Sequence, residues 1–239
     1  MSAAFLFDVD GTLVDSVDLH ARAWQETLAH FGFEIAYDAV RGQIGKGGDN
    51  LLPVFVPRDR LEEIGGRIET YRAELFRREY LPLVKPFPSV RDLFERIKRD
   101  DYRIALASSG KSDEVEHYKK LLGVDDLVDV QTSSDDAESS KPCPDIFEVA
   151  LQRVDVEPHR ALVIGDTPYD AIAARRAGLR PVGVLCGGFP EADLRAEGCV
   201  QIYPGPPDML ERYYEMQELV TPALQTRGFP YGPSPARPA

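Results

Sequence analysis

Five short stretches of this chain are apolar without alternation: Ala3 to Phe7, Arg103 to Ala107, Leu127 to Gln131, Ala161 to Ile164 and Pro181 to Leu185. Continuous apolar runs of this length predict strands buried on both faces, as in a parallel sheet covered by helices. Helical spacing separates them. It is carried by Asp113 to Leu122, by Ile146, Phe147, Ala150 and Leu151, and by Ala171, Ile172, Ala174, Arg175 and Ala177, with Gly178 as a C-terminal stop. Strand and helix in alternation predict an α/β fold, a doubly wound parallel (Rossmann-like) sheet whose ligands sit beyond the carboxyl ends of its strands.

One interval breaks the alternation. Roughly a hundred residues separate the first strand from the second, where a single crossover helix needs far fewer. An inserted helical cap domain at residues 16–85 accounts for them, leaving residues 1–15 and 86–218 as the core. Within the insertion Val17, Ala21, Trp24 and Leu28 share one helical face, and a later helical segment runs from Arg60 to Arg78. Pro82, Pro86 and Pro88 punctuate the return, after which Val90, Leu93, Phe94 and Ile97 resume an amphipathic helix. The last stretch, residues 219–239, carries five prolines and no acidic residue, and is expected to be a disordered tail. No internal repeat is visible.

Composition narrows the partners. A chain of 239 residues with 43% hydrophobic positions is long enough to bury a sizeable core. With 28 Lys+Arg against 40 Asp+Glu the net charge is −12, which repels nucleic acid and anionic lipid at long range, and no basic run offsets it. Neither is expected as a partner. Cys143, Cys186 and Cys199 are odd in number and lack CxxC spacing, so a disulfide framework and a zinc site are both unsupported and a reducing, cytoplasmic setting is expected. Ala3 to Phe7 is too short for a signal-peptide core or a membrane span. Monomer and homodimer stay equally open.

The acidic residues fall in telling places. The first predicted strand ends in Asp8-Val9-Asp10-Gly11-Thr12, and the fourth runs into Gly165-Asp166-Thr167-Pro168-Tyr169-Asp170. A single pair of acids at a strand end is ordinarily a polar loop. Several converging on one sheet edge repel strongly unless a cation joins them. Hard oxygen ligands suit Mg2+, which keeps open positions for water and phosphate oxygens. The second strand ends in Ser108-Ser109-Gly110, whose hydroxyls and backbone N–H groups suit a phosphoryl oxygen, although a Ser-rich turn alone means little. Lys141 precedes the helix leading to the fourth strand and is positioned to reach the same mouth.

Together these four motifs resemble the haloacid dehalogenase superfamily, over residues 1 to about 215. Asp8 to Thr12 matches its first motif, Ser108 the second, Lys141 the third, and Gly165 to Asp170 the fourth; the helical insertion after the first motif is similar to the family's first cap type. The resemblance implies that Asp8 is a nucleophile forming an aspartyl-phosphate and Asp10 the general acid and base, with its pKa raised. It implies Mg2+ held by Asp8, the main-chain carbonyl of Asp10 and Asp166, with Asp170 bound through water or orienting the others. Lys141 then supplies positive charge, Ser108 anchors the phosphoryl oxygens, and Gly11 and Thr12 allow the turn and offer donors.

Asp10 also narrows the branch, because members that displace halide, and those that cleave phosphonates, lack an aspartate at that position. A phosphatase acting on a small phosphorylated metabolite is therefore expected, of the phosphoglycolate type, with a β-phosphoglucomutase-like phosphotransferase as the alternative and a non-catalytic binding protein as a remote one. Further substrate contacts are expected from Thr12, Ser109, Gly110, His20, Gly45 and Lys46. His20 is spaced from Asp8 as in the mutase branch but reads equally well as a solvated helix residue. Gly42 to Gly48 resembles the cap's specificity loop. Ser109-Gly110-Lys111-Ser112 imitates the end of a nucleotide-binding loop, but Ala105 stands where that motif needs its first glycine.

Overall fold

The computed structural model describes residues 3–220. Strand β1 (Ala4–Phe7) lies inside a six-stranded parallel sheet, and all four of its residues are buried because helices cover both faces. After the two-residue strand β2 (Val14–Asp15) the chain leaves the sheet for α1 (Val17–His30), α2 (Tyr37–Arg41), α3 (Gly48–Phe55) and α4 (Arg58–Leu75), the last continuing into a π-helical turn at Phe76–Tyr80. It comes back through β3 (Lys85–Pro86), which pairs antiparallel with β2. The remainder alternates: α5 (Val90–Arg99), β4 (Arg103–Ala107), α6 (Ser112–Leu122), β5 (Val130–Thr132), α7 (Asp145–Val154), β6 (Ala161–Gly165), α8 (Pro168–Arg176), β7 (Arg180–Val184), α9 (Glu191–Ala196), β8 (Gln201–Tyr203), α10 (Pro206–Glu211) and α11 (Tyr213–Val220). Across the sheet the order is β5-β4-β1-β6-β7-β8.

This order and register place the site. Phe7 lies opposite Leu106 of β4 on one side and Ile164 of β6 on the other. Three strands therefore end at one level, beside the central strand from which the connections run to either side, where a crevice opens. Side chains of β1 alternate between the faces. Phe5 and Phe7 pack with Leu93, Phe94 and Ile97 of α5 and Tyr118 of α6. Ala4 and Leu6 face Phe147 and Ala150 of α7 and Ala173 and Ala174 of α8. The inserted helices bury a stripe of their own, in which Val17, Ala21, Trp24 and Leu28 meet Val40, Ile44, Leu51, Ile64 and Ile68.

The doubly wound α/β expectation is met; several boundaries are not. The stretch read as a third strand, Leu127 to Gln131, is strand only from Val130, because the Leu127 and Val128 amides bond back to the Val124 carbonyl in a turn. Its apolar residues pack on the core as loop. The helix expected from Arg60 to Arg78 is α-helical over Arg58–Leu75 and widens to π geometry beyond. Strands β2, β3 and β8, of two or three residues each, are too short to leave a period in the sequence, and so are the single-turn helices α9 and α10. The tail expected from 219 gives up its first two residues to α11, whose Val220 is fully buried; the rest of it lies outside the described residues. Among the described residues no helix is long and apolar enough to cross a membrane, and the three cysteines are free.

Candidate active site

Asp8 follows β1 directly, and its amide donates to the Ile164 carbonyl at 2.8 Å, which extends the parallel register one residue past the strand. Lys141, from the loop ahead of α7, is completely buried beside it. Its Nζ donates to Asp8 Oδ1 at 2.5 Å and to the Ala107 carbonyl at 2.9 Å, and stands 2.8 Å from Asp170 Oδ1. Asp170 is aimed by the start of α8. Its Oδ2 accepts from the Thr167 amide and hydroxyl, at 3.1 and 2.6 Å, closing a reciprocal cap that leaves the other oxygen turned toward Lys141. Thr12 stands between Asp8 Oδ2, at 3.1 Å, and Asp166 Oδ1, at 3.2 Å, with one hydroxyl proton for two carboxylates.

Asp8, Asp166 and Asp170 each bring a carboxylate oxygen within 4.8 Å of the others, all buried, with Lys141 the cation among them. Burial first, and then the neighbouring acids, push the Asp8 and Asp166 carboxyls well above the usual range. Lys141 is held above its ordinary value: burial alone would lower it, but Asp170 and Asp8 outweigh that. Asp166 Oδ2 is buried with no hydrogen-bond partner. Around it the backbone comes in unusually close, since a Cβ at Gly11 (φ +81°) would stand 2.4 Å from that oxygen and one at Gly187 only 1.8 Å away. An orphaned buried oxygen, and hard oxygen donors with surplus negative charge, fit a Mg2+ ion.

Asp10 faces another way. Its Oδ1 accepts from Ser16 Oγ at 2.6 Å and meets His20 Nε2 at 2.8 Å, while Oδ2 lies 3.5 Å from Ser108 Oγ. Burial would raise this carboxyl; His20, with hydrogen bonds from His20 and Ser16 and the nearby Arg72, overrides it and brings it down to about 2. The expected raised pKa for Asp10 is therefore corrected. The acids that would have raised it are grouped on Lys141, whereas Asp10 points at donors. His20 is buried rather than solvated, its ring stacked on Phe76 at 4.0 Å, and Arg72 of α4 bonds its Nδ1. Arg72 continues to Glu114 of α6, 3.4 Å away. Trp24 is core of the inserted helices, with Arg72 5.3 Å above its ring.

The loop after α2 reaches over this edge. Tyr169 donates to the Gly42 carbonyl at 2.5 Å, Arg41 to the Gly187 carbonyl at 3.0 Å, and Ser109 Oγ approaches the Gly45 carbonyl at 3.4 Å. Lys46 lies 4.6 Å over the Tyr169 ring, with Nζ on Gln43 Oε1 at 2.5 Å. The Gly110 amide donates to Ser108 Oγ at 2.9 Å, which leaves that hydroxyl's proton for Asp10 or another acceptor. Asp8, Asp10, Thr12, His20, Ser108, Lys141, Asp166 and Asp170 thus gather at one edge of the sheet, with Ser109, Gly110, Gly45 and Lys46 beside them. Reading the sequence missed Ser16, Arg72 and Glu114, and gave no role to Thr167 within the fourth motif. Ser16 occupies the N-cap position of α1, yet its hydroxyl goes to Asp10 and makes no cap bond. Arg72 is one arginine among many on a charged helix, and nothing local sets it apart.

The fold and this site define a doubly wound α/β protein with acids grouped on a buried lysine at the ends of β1 and β6, and helices inserted after β1. The family model of haloacid dehalogenase-like hydrolases matches residues 5–184, and the chain belongs to that family. It is 33% identical to a phosphoglycolate phosphatase of Aquifex aeolicus over 187 residues, 76% of this chain and 84% of that one. To a fructose-1-phosphate phosphatase of Escherichia coli it is 27% identical over 184 residues, 76% and 96% of the two chains. The crystal structure of a hydrolase from Pseudomonas syringae superposes with a TM-score of 0.81 at 29% identity, covering 90% of this chain and 99% of that one.

Proposed function

We propose that the protein is a Mg2+-dependent phosphomonoester hydrolase that works through an aspartyl-phosphate on Asp8. The observation that carries this reading is the pairing of two unlike carboxyls at one sheet edge: Asp8 held by Lys141 at 2.5 Å, and Asp10 held apart from it by His20 and Ser16. Asp8 attacks phosphorus while the ester oxygen leaves; Asp10 gives that oxygen a proton, then takes one from the water that attacks the acyl phosphate. Lys141 and the Ser108 hydroxyl hold the phosphoryl oxygens, and Thr12 orients Asp8 and Asp166. Asp8, Asp166, Asp170 and the Asp10 carbonyl would hold the ion, which when bound neutralises the acids and the phosphate.

Residues 16–85 serve in this reading as a cap. Arg41, Gly42 and Gly45 touch the core from the cap side, and His20 and Arg72 bring to Asp10 the groups that hold its carboxyl low. Opening withdraws them, so Asp10 takes up its proton in the open form and delivers it after closure.

Two experiments test this. Phosphate release from sugar phosphates, phosphoglycolate and p-nitrophenyl phosphate is expected with Mg2+, to fall by on the order of 100-fold in EDTA, and to return when Mg2+ is restored. Activity indifferent to EDTA overturns the metal assignment, and conversion of β-glucose 1-phosphate without phosphate release, with a bisphosphate primer present, would favour a mutase. Second, Asp10→Asn should cost an alkyl phosphate about 10 to 100 times more rate than it costs p-nitrophenyl phosphate, whose leaving group needs no proton. Equal losses on both would remove Asp10 as the acid.

A further inference from the structure

The hydrolase reading leaves Glu114 unused, an acid near this sheet edge that belongs neither to the Lys141 group nor to the partners of Asp10. It sits in the first turn of α6, 6% exposed. Its Oε1 meets Arg72 of α4 at 3.4 Å, while its Oε2 is buried without a hydrogen-bond partner. Arg72 is in the same condition: its Nη atoms are engaged by Glu114 and His20, and its Nε is buried and unpartnered. A buried charged pair that leaves one acceptor and one donor unmet carries a standing desolvation cost.

Position relates the pair to the substrate. The point beside Gly110 where a Cβ would stand is 3.0 Å from Glu114 Oε2 and 3.1 Å from Ser108 Oγ. Ser108 Oγ in turn lies 3.5 Å from Asp10 Oδ2. Glu114 Oε2 therefore lies beside Ser108, the hydroxyl that faces Asp10, with no side chain of Gly110 between them.

We infer that Glu114, with Arg72, selects the leaving group: an uncharged polyol, as in a sugar phosphate, and not a carboxylate or a phosphate. This rests on the hydrolase reading and names its substrate class. A hydroxyl donates as well as accepts, so it can give Glu114 Oε2 the hydrogen bond it lacks. A carboxylate only accepts; it leaves Oε2 unmet and sets a second negative charge against Glu114. Lys46, on the α8 side over Tyr169, is the cation to which an anionic leaving group would turn instead.

The test compares kcat/KM for fructose 1-phosphate and phosphoglycolate, with Mg2+, in the wild type, Glu114→Gln and Arg72→Met, and uses p-nitrophenyl phosphate to establish turnover. The wild type is expected to prefer fructose 1-phosphate by about tenfold or more, the range of one hydrogen bond to a charged group. Glu114→Gln keeps the shape and an acceptor but drops the charge, and should narrow that preference about tenfold. Arg72→Met exposes the full charge of Glu114 and should widen it, whatever it does to the absolute rates through His20. A role confined to packing would move both substrates together and leave the ratio untouched. A wild type that prefers phosphoglycolate, or ratios that shift the same way in both variants or in neither, overturns the inference. If p-nitrophenyl phosphate is turned over in those cases, the hydrolase reading survives; if no ester is turned over, both fall.

Discussion

Replacing Asp8 with asparagine is expected to remove phosphate release by on the order of 10,000-fold or more, because an amide cannot form the acyl phosphate and no other residue stands where it could. The same substitution should leave the fold intact and, without divalent cation, the Tm no lower than wild type. The reason is a charge count. Asp8, Asp166 and Asp170 are buried together beside one ammonium, that of Lys141, and the Asp8 carboxyl is pushed up chiefly by burial and then by Asp170 and Asp10, against the pull of Lys141. An asparagine of the same shape still accepts from Lys141 through its oxygen, donates through its NH2 to the Thr12 hydroxyl, whose proton is then free for Asp166, and removes one repelling charge. Steady-state phosphate release and thermal unfolding in EDTA check the two halves. Residual activity within about tenfold of wild type would take the nucleophile's role from Asp8, and a marked fall in Tm would mean that the ion pair with Lys141 outweighs the crowding of acids.

Lys141→Met should act in the opposite sense. The methionine keeps an apolar stem over Phe147, which the ammonium now faces at 5.1 Å, so packing is largely retained. What is lost is the buried cation between Asp8 and Asp170. Breaking a buried pair by removing one partner typically costs about 3–5 kcal/mol, since the charge left behind has no water to turn to. Urea unfolding in EDTA should show a loss of that size. Saturating Mg2+ should recover a larger part of stability in the variant than it adds to the wild type, because the ion meets three acids with no competing ammonium. An Mg2+ increment no larger than that of the wild type would place the ion away from the acids that Lys141 holds together. Activity is expected to stay low even with Mg2+, the ammonium's contribution to the phosphoryl oxygens being gone.

The contrast between these variants comes from an arrangement that could be read from the chain only in part. Asp8, Ser108 and Asp166 were legible as a group because each follows a continuous apolar run. Strands buried on both faces show themselves as such runs, and parallel neighbours bring their carboxyl ends to one edge. The insertion was legible from the length of the interval, and its helices from the spacing of Val17, Ala21, Trp24 and Leu28 and from the segment Arg60 to Arg78. By contrast, the third strand was misplaced because apolar loop residues that pack on a core look like strand residues until a turn breaks them, as the Val124 carbonyl does.

The chain by itself determined the α/β class, the inserted helices, and the acids, serine and lysine that meet at the sheet edge, since periodicity and strand ends are local properties that survive without coordinates. Only the tertiary structure decided which acid keeps which company. That Asp10 turns to His20 and Ser16 while Asp8 and Asp170 share Lys141, and that Arg72 and Glu114 meet across the inserted helices and the core, depends on side-chain directions between segments distant in sequence. Burial and pairing act through space, and they set the charge state of each carboxyl against what its neighbours in the chain would suggest.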